Sequence, residues 1–513
     1  MIKLGKEYIK IEDINAALYE NESVEITKET SGKVKDCHEF LKAFANDKLI
    51  YGINTGFGPM AQYKISPDKL KELQYNLIRS HCTGMGKVLD EKEIKASMIC
   101  RLNSLLQSRS GVHSEVTELL SELINKGVYP KIFESGGVGA SGDLVQLAHI
   151  ALILIGEGEV IYKGNIIPTA EAFNKEGLTP IKMHIREGLA LLNGTSVMTG
   201  IAAINLIDSK KLLNWSLSAS AILLEIVESY GDYFSDPLNR VKPHLGQNKV
   251  AQSIGEFLEG SGRIRQREKN LYKENGGTED ILEQKVQEYY SLRCVPQITG
   301  PIYDTLVNAK TVVESEMNSV NDNPIIDYEE GNIFHGGNFH GDYISLEMDK
   351  VKIVMTKLSM LAERQLNFLL NDKLNKILPP FVNLETLGLN LGMQAAQFTA
   401  TSSTAENQTL SNSMYVHSIP CNNDNQDIVS MGTNSGLLCK KVIGNCYNVL
   451  SIEWITILQA IDYLDIVDDL SPKSKAIYKE LRQVVPVIND ENPMYDSLEK
   501  MKNHLQNNTK EFI

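Results

Sequence analysis

Ala140-Ser141-Gly142 combines residue types that could do chemistry no single side chain can do. The tripeptide lies in Gly136-Gly137-Val138-Gly139-Ala140-Ser141-Gly142-Asp143, directly before an apolar helical run. In a tightly bent backbone the Gly142 amide nitrogen could attack the Ala140 carbonyl carbon. Loss of one water would close a five-membered ring, and loss of a second would turn Ser141 into an exocyclic methylene. The product, a 4-methylidene-imidazol-5-one (MIO), is an electrophile made from the chain itself. Glycine suits the attacking position because it has no Cβ and reaches unusual φ and ψ cheaply. Two other readings fit the same letters. Gly137-Val138-Gly139-Ala140-Ser141-Gly142 matches the dinucleotide-binding pattern G-x-G-x-x-G, which needs a preceding strand, a following helix and a βαβ frame. The third reading is a Gly-rich turn without chemistry. Asp143 is placed to cap the helix expected over Leu144–Leu154.

The surrounding elements read mostly as helices. A polar helix is expected near Lys33–Asn46, and helical periodicity runs over Pro67–Ser80 and Glu91–Ser108. Gly158–Pro168 alternates around a Lys-Gly-Asn turn and reads as a hairpin. Long helical stretches follow over Ser196–Ser229, Pro301–Val320, Tyr343–Leu370 and Gly436–Leu464. Helices of that length pack side by side, with the chemistry in the loops at their ends. The segment after Ser471 is charged and reads as peripheral. The expected division is 1–195, with the reactive loops, then a long-helix bundle over 196–470 and a peripheral segment over 471–513.

Composition narrows the function. The 513 residues carry a formal net charge of −14 and no Lys/Arg-rich block, which argues against nucleic acid or an anionic membrane as partner. Seven scattered cysteines form no C-x-x-C pair, so they read as reduced thiols of a cytoplasmic protein rather than a disulfide frame or zinc site. The longest apolar run, around Leu147–Ile155, is too short to span a bilayer.

Several further clusters could place side chains at one site. They are Tyr51-Gly52-Ile53-Asn54-Thr55-Gly56-Phe57-Gly58, Ser80-His81, Asn193-Gly194-Thr195, Tyr290-Ser291-Leu292-Arg293-Cys294, Asn321-Asp322-Asn323-Pro324, Gly337-Asn338-Phe339-His340 and Asn425-Gln426-Asp427. Each alone reads more readily as a turn or a structural hydrogen-bonding group than as a catalyst. Taken together and in this order, they resemble the aromatic amino acid ammonia-lyase family from about Tyr51 to Leu464. That resemblance implies a mainly α fold, a long-helix bundle of the ammonia-lyase (fumarase/aspartase-like) type with a mixed N-terminal region. It implies a homotetramer with active sites shared between subunits, MIO formed from Ala140-Ser141-Gly142, and no required metal.

The resemblance also implies roles. Tyr51 would take the substrate β-proton, and its loop would close as a lid. A phenol ionises near pH 10, so such a base must be deprotonated locally. Arg293 would clamp the substrate carboxylate with its planar fork. Tyr290 and Asn193 would surround the ring and orient the amine, with Asn323 and Phe339 nearby. For the substrate, Ser80-His81 looks like the pair in histidine ammonia-lyases. Aligned on Val429-Ser430-Met431, however, Gln426 stands where those enzymes carry Glu. A neutral amide offers an imidazolium no charge-assisted contact. The motifs around Gly56–Tyr63, Leu77–His81 and Asn338–Asp349 are similar to bacterial tyrosine-specific members, in which His81 would bond the phenol hydroxyl. The expectation is therefore L-tyrosine to trans-p-coumarate and ammonia. The histidine and phenylalanine reactions and a tyrosine 2,3-aminomutase outcome are the alternatives. Tyr415 and His417 are further candidates for lining the site.

Overall fold

The computed structural model describes residues 1–46, 48–272, 285–490, 492–508 and 511. The fold is mostly helical, 60% helix and 8% strand. Two compact units emerge. One comprises Met1–Ile207, Ala309–Asp349 and Ser413–Lys440, and the other Asp208–Asn308, Lys350–Asn412 and Lys441–Ile513. These units cut across the ranges 1–195, 196–470 and 471–513. The reason lies in the long helices Ser196–Ile226, Val295–Met317, Asp342–Leu370 and Gly432–Leu464, each of which gives residues to both units.

The first unit holds every described strand. Ile2–Leu4 pairs in parallel with Val24–Ile26, Met85–Val88 pairs antiparallel with Phe133–Ser135, and Ile325–Asp327 with Asn332–Phe334. The expected hairpin is present as Glu159–Tyr162 against Asn165–Pro168. Val128–Pro130 adds a third strand to it, three residues too short to show alternation in sequence. The strand before Gly136 thus belongs to an antiparallel pair, so the βαβ frame a dinucleotide fingerprint needs is absent among the described residues.

The helix Glu91–Leu106 forms the centre of this unit. It starts with a capping box in which the Asp90 N–H donates to Glu93 at 2.9 Å, and its residues Ile94, Met98, Ile99 and Leu102 are fully buried. Three helices pack mutually in the same unit: Leu70–His81, Leu144–Leu154 and Glu187–Leu192. A Cβ at Gly188 would come within 2.9 Å of the Gln74 carbonyl oxygen, which shows how closely two of these backbones approach.

In the second unit the two tryptophans, Trp215 and Trp454, meet edge to face at 5.6 Å. The Trp215 indole N–H donates to the carbonyls of Leu505 and Asn508. Glu225 receives the Ser471 N–H at 2.6 Å and the Ser474 hydroxyl, so a buried carboxylate helps to start the helix Pro472–Val484. Leu481, Met501 and Leu505 are fully buried, so the C-terminal helices carry buried faces beside their charged ones. No described helix is long and apolar enough to cross a membrane.

Glu453 is a cost in this core. It is fully buried, and neither carboxyl oxygen has a hydrogen-bond partner among the described residues. Burial therefore holds its carboxyl well above the usual carboxylate range. The folded chain keeps the proton where the unfolded chain has released it. The stability this group contributes is full below the ordinary value of 4.5 and is lost as pH rises toward the raised folded value. Glu453→Gln removes the titration. It is expected to raise the melting temperature at about pH 8 by more than at about pH 5, read by differential scanning calorimetry; an equal shift at both pH values would refute the assignment.

Candidate active site

The Ala140–Gly142 turn is held from several sides. Gly139 has φ +75 and Gly142 has φ +71, a region L side chains rarely adopt. The Asp143 N–H donates to the Gly194 carbonyl at 2.7 Å, and Gly142 and Gly194 form an isolated parallel bridge. A Cβ at Gly142 would lie 1.8 Å from the Gly194 oxygen, so no residue but glycine fits there. On the other side the Ser430 hydroxyl donates to the Gly139 carbonyl at 2.9 Å, and the Gly341 N–H to the same oxygen at 3.1 Å. Ala140 is buried and Ser141 half-buried.

Asp143 does not cap the helix that follows it, contrary to the expectation. Its backbone, at φ −93 and ψ 48, turns the side chain away from Leu144–Leu154. The carboxylate instead accepts the Val197 and Met198 N–H groups at 2.9 Å each, which are orphan donors at the start of Ser196–Ile226. The Thr433 hydroxyl adds a third bond at 2.5 Å. Burial pushes the Asp143 carboxyl up to about 6, and these three donors oppose that rise. Asp143 thereby ties the reactive turn to two helix starts.

Asn193 and Gln426 both reach Ser141. The Asn193 side-chain amide donates to the Ser141 carbonyl at 3.3 Å, while its own Oδ1 is buried without a partner among the described residues. The Gln426 amide donates to Ser141 Oγ at 2.9 Å. Arg101 sits behind Asn193, fully buried. Its guanidinium donates to the Ala190 carbonyl, to the Asn193 carbonyl at 3.1 Å and to Asn321 Oδ1 at 3.4 Å. Burial lowers this guanidinium to about 10, against the charges of Asp322 and Asp143. Sequence reasoning missed Arg101. The one signal for it was a charge inside the apolar run Met98-Ile99-Cys100-Arg101-Leu102.

The Tyr51 loop is closed on itself. The Gly58 N–H donates to the Tyr51 hydroxyl oxygen at 3.1 Å, and the Gly56 N–H to the Tyr63 carbonyl at 2.9 Å. A Cβ at Gly52 would strike Leu189 at 2.5 Å and one at Gly56 the Met60 carbonyl at 2.4 Å. These two glycines are therefore required by close packing, a reason distinct from freedom to move. His81 ends the helix Leu70–His81. Its Nδ1 lies 2.9 Å from the Leu77 carbonyl and 3.2 Å from the Ser80 hydroxyl, and the carbonyl is met only by the tautomer with its proton on Nδ1. In the neutral ring Nε2 then offers a lone pair.

The remaining candidates divide. Asn323 accepts the Gly336 N–H at 2.9 Å, which fixes the loop whose Gly341 meets Gly139, and Phe339 lies half-buried in that loop. Tyr415 is held by its backbone N–H on Asp349 at 2.8 Å, and His417 is exposed. Tyr290 and Arg293 belong to the second unit and are brought to each other: the guanidinium lies 4.7 Å from the Tyr290 ring centre. Arg293 Nε is buried without a partner among the described residues, and Tyr290 is 70% exposed. Among the described residues no cluster of three or more His, Cys, Asp or Glu could hold a metal.

The model of the aromatic amino acid lyase family matches residues 9–483. The chain belongs to that family. It is similar to the MIO-dependent tyrosine 2,3-aminomutase of Streptomyces globisporus, at 36% identity over 97% of this chain and 93% of that one. The crystal structure of tyrosine aminomutase from that organism superposes with a TM-score of 0.94 over 98% of this chain and 96% of the other. A tyrosine ammonia-lyase of Cupriavidus metallidurans is 37% identical, covering 92% of this chain and 89% of its own. A histidine ammonia-lyase of Geobacillus is 36% identical, covering 95% and 93%. The protein is thus an enzyme of the aromatic ammonia-lyase and aminomutase family, a carbon–nitrogen lyase by class. These identities differ too little to separate tyrosine from histidine.

The 1.8 Å approach generates a prediction. Gly142→Ala must displace the Gly194 backbone, so its intact mass is expected to retain both waters and its melting temperature to fall. Gly336→Ala meets nothing within 4 Å and is the control, with water loss and melting expected to match the parent. Normal water loss by Gly142→Ala would show that the contact is not needed.

Proposed function

We propose that this enzyme deaminates L-tyrosine to trans-p-coumarate and ammonia, using MIO formed from Ala140-Ser141-Gly142. The residues fit that group: a left-handed Gly142 admits no side chain, Asn193 holds the Ser141 carbonyl, and the buried Asn193 Oδ1 is left free for a donor. When formed, MIO supplies an electrophilic carbon that makes the α-amine a better leaving group. The chain's own side chains do the rest. Asn193 Oδ1 would accept an N–H of the substrate amine. Tyr51 Oη would take the β-proton, held at a fixed point of its loop by the Gly58 N–H. The unpartnered Arg293 Nε and the rest of its guanidinium would pair with the substrate carboxylate. The tetramer with shared sites, the cytoplasmic location and the lack of a metal requirement belong to the same reading.

The observation that carries the choice of tyrosine over histidine is the neutral Gln426 amide beside Ser141, with His81 placed to meet the phenol hydroxyl. With its proton on Nδ1, Nε2 can accept a phenol hydroxyl. Gln426 turns N–H groups, not a carboxylate, to the site, which an imidazolium would not reward. A tyrosine 2,3-aminomutase is the second reading, favoured by the Streptomyces relative. It shares the elimination and differs in re-adding ammonia at the β-carbon.

Purified protein should release coumarate from L-tyrosine, with little urocanate from L-histidine or cinnamate from L-phenylalanine, each product identified chromatographically. Chiral analysis for β-tyrosine separates the second reading from the first. A site built on the phenol hydroxyl rejects its absence strongly, so His81→Phe is expected to cut the tyrosine-to-phenylalanine ratio of kcat/KM by about 10²-fold or more. An unchanged ratio removes His81 from substrate choice.

A further inference from the structure

The turn Cys421–Gln426 ends in Gln426, but its other residues have no part in the reading above, and it touches both the Ser141 turn and the Tyr51 loop. Its ends are closed by two backbone bonds, Cys421 N–H to the Gln426 carbonyl at 3.1 Å and Gln426 N–H to the Cys421 carbonyl at 3.3 Å. Between them Asn422, Asn423 and Asp424 have φ of +56, +50 and +58. Three successive left-handed residues without glycine are unusual, and Asn and Asp are the side chains that tolerate it best. The tight turn sets Cys421 Sγ 3.3 Å from Gln426 Oε1. Gln426 Nε2 then lies 2.9 Å from Ser141 Oγ. Asn422 abuts the tyrosine loop: a Cβ at Gly58 would come within 2.9 Å of its Nδ2, and the Gly58 N–H is the donor to Tyr51.

We propose, on the reading that the protein is an MIO-forming lyase for a neutral aromatic ring, that Cys421 is a positioning residue: its thiol fixes the Gln426 amide with the N–H groups turned to Ser141. An amide side chain fills the same space in either orientation, so shape does not choose between them. The Ser141 hydroxyl, able to donate or accept, does not choose either. The thiol does, since it donates to the carbonyl oxygen and is a poor acceptor for an N–H. Loss of the Ser141 hydroxyl during ring formation would free that N–H for the substrate. A fixed donor there disfavours a cationic ring, whereas the flipped amide would offer its carbonyl oxygen to one. Cys421 therefore acts on selectivity through Gln426 and does not touch substrate.

The test compares Cys421→Ser, which keeps a donor, with Cys421→Ala and Cys421→Val, which do not. Gln426→Ala and the Cys421→Ala/Gln426→Ala double variant complete the set. For each, intact mass records the loss of two waters, calorimetry records folding, and kinetics give kcat and KM for L-tyrosine with L-histidine as competing ligand. Cys421→Ser is expected to show a smaller change in the same direction, because its hydroxyl keeps a donor for the carbonyl oxygen but can also accept an N–H. Cys421→Ala and Cys421→Val should raise KM for L-tyrosine and tighten inhibition by L-histidine, each about three- to tenfold, the effect of one lost hydrogen bond. In the Gln426→Ala background, Cys421→Ala should add nothing. Full additivity, or Cys421→Val behaving like the parent, overturns the role of Cys421 alone, because a space-filling role would favour valine. A parent protein that keeps both waters, or that prefers L-histidine, overturns the reading beneath it and this role with it.

Discussion

The site depends on one backbone contact, the approach of Gly142 to the Gly194 carbonyl. It joins the turn that could cyclise to the segment that carries Asn193, and it leaves no room for a Cβ on Gly142. Everything behind it secures the two strands of that contact. Arg101 binds the Ala190 and Asn193 carbonyls from one side. Asp143 binds the start of Ser196–Ile226 and Thr433 from the other. Burying two charges costs desolvation free energy, and it is offset only where hydrogen bonds satisfy them. Here the bonds are to backbone groups that helix ends and loops would otherwise leave unpaired. The same groups that make the charges tolerable thus fix the reacting backbone.

A second layer follows from helix packing. Leu70–His81, Leu144–Leu154 and Glu187–Leu192 pack on one another, and each has a candidate site residue at or next to an end: His81, the Ala140–Gly142 turn and Asn193. Rigid rods sharing faces set the separations of their ends, so loops that look free in sequence are placed by helices. The Tyr51 loop is attached to the same group through Gly52, which lies against Leu189.

Most of this architecture was legible. Apolar periodicity over 12 or more residues marks a helix whatever its partners are, and all four long helices lie within a few residues of their expected bounds, allowing an earlier start at Val295. The motifs that place the chain in its family were legible through resemblance. What failed was local reasoning about polar groups. Asp143 has the position and type of an N-cap, but its partners lie some 50 residues on, and nothing near it in sequence reveals them. Arg101 reads as a blemish in an apolar helix until the carbonyls it serves are folded around it. The glycines of the Tyr51 loop read as hinges, while their Cβ positions are filled by Leu189 and Met60.

Substrate choice shows why residue identity is a weak guide and orientation a strong one. A histidine in the Ser80-His81 pair suits an imidazole or a phenol equally by type. The Leu77 carbonyl beside Nδ1 favours the ring form whose Nε2 accepts. Gln426 likewise holds a donor and an acceptor in one planar group, and a thiol five residues away determines which of them meets Ser141. Both orienting contacts are to atoms that a family motif does not specify, one a backbone carbonyl and the other a turn side chain. An enzyme could therefore keep its reacting groups and change substrate if such second partners changed, because they set the donor and acceptor pattern without touching the chemistry.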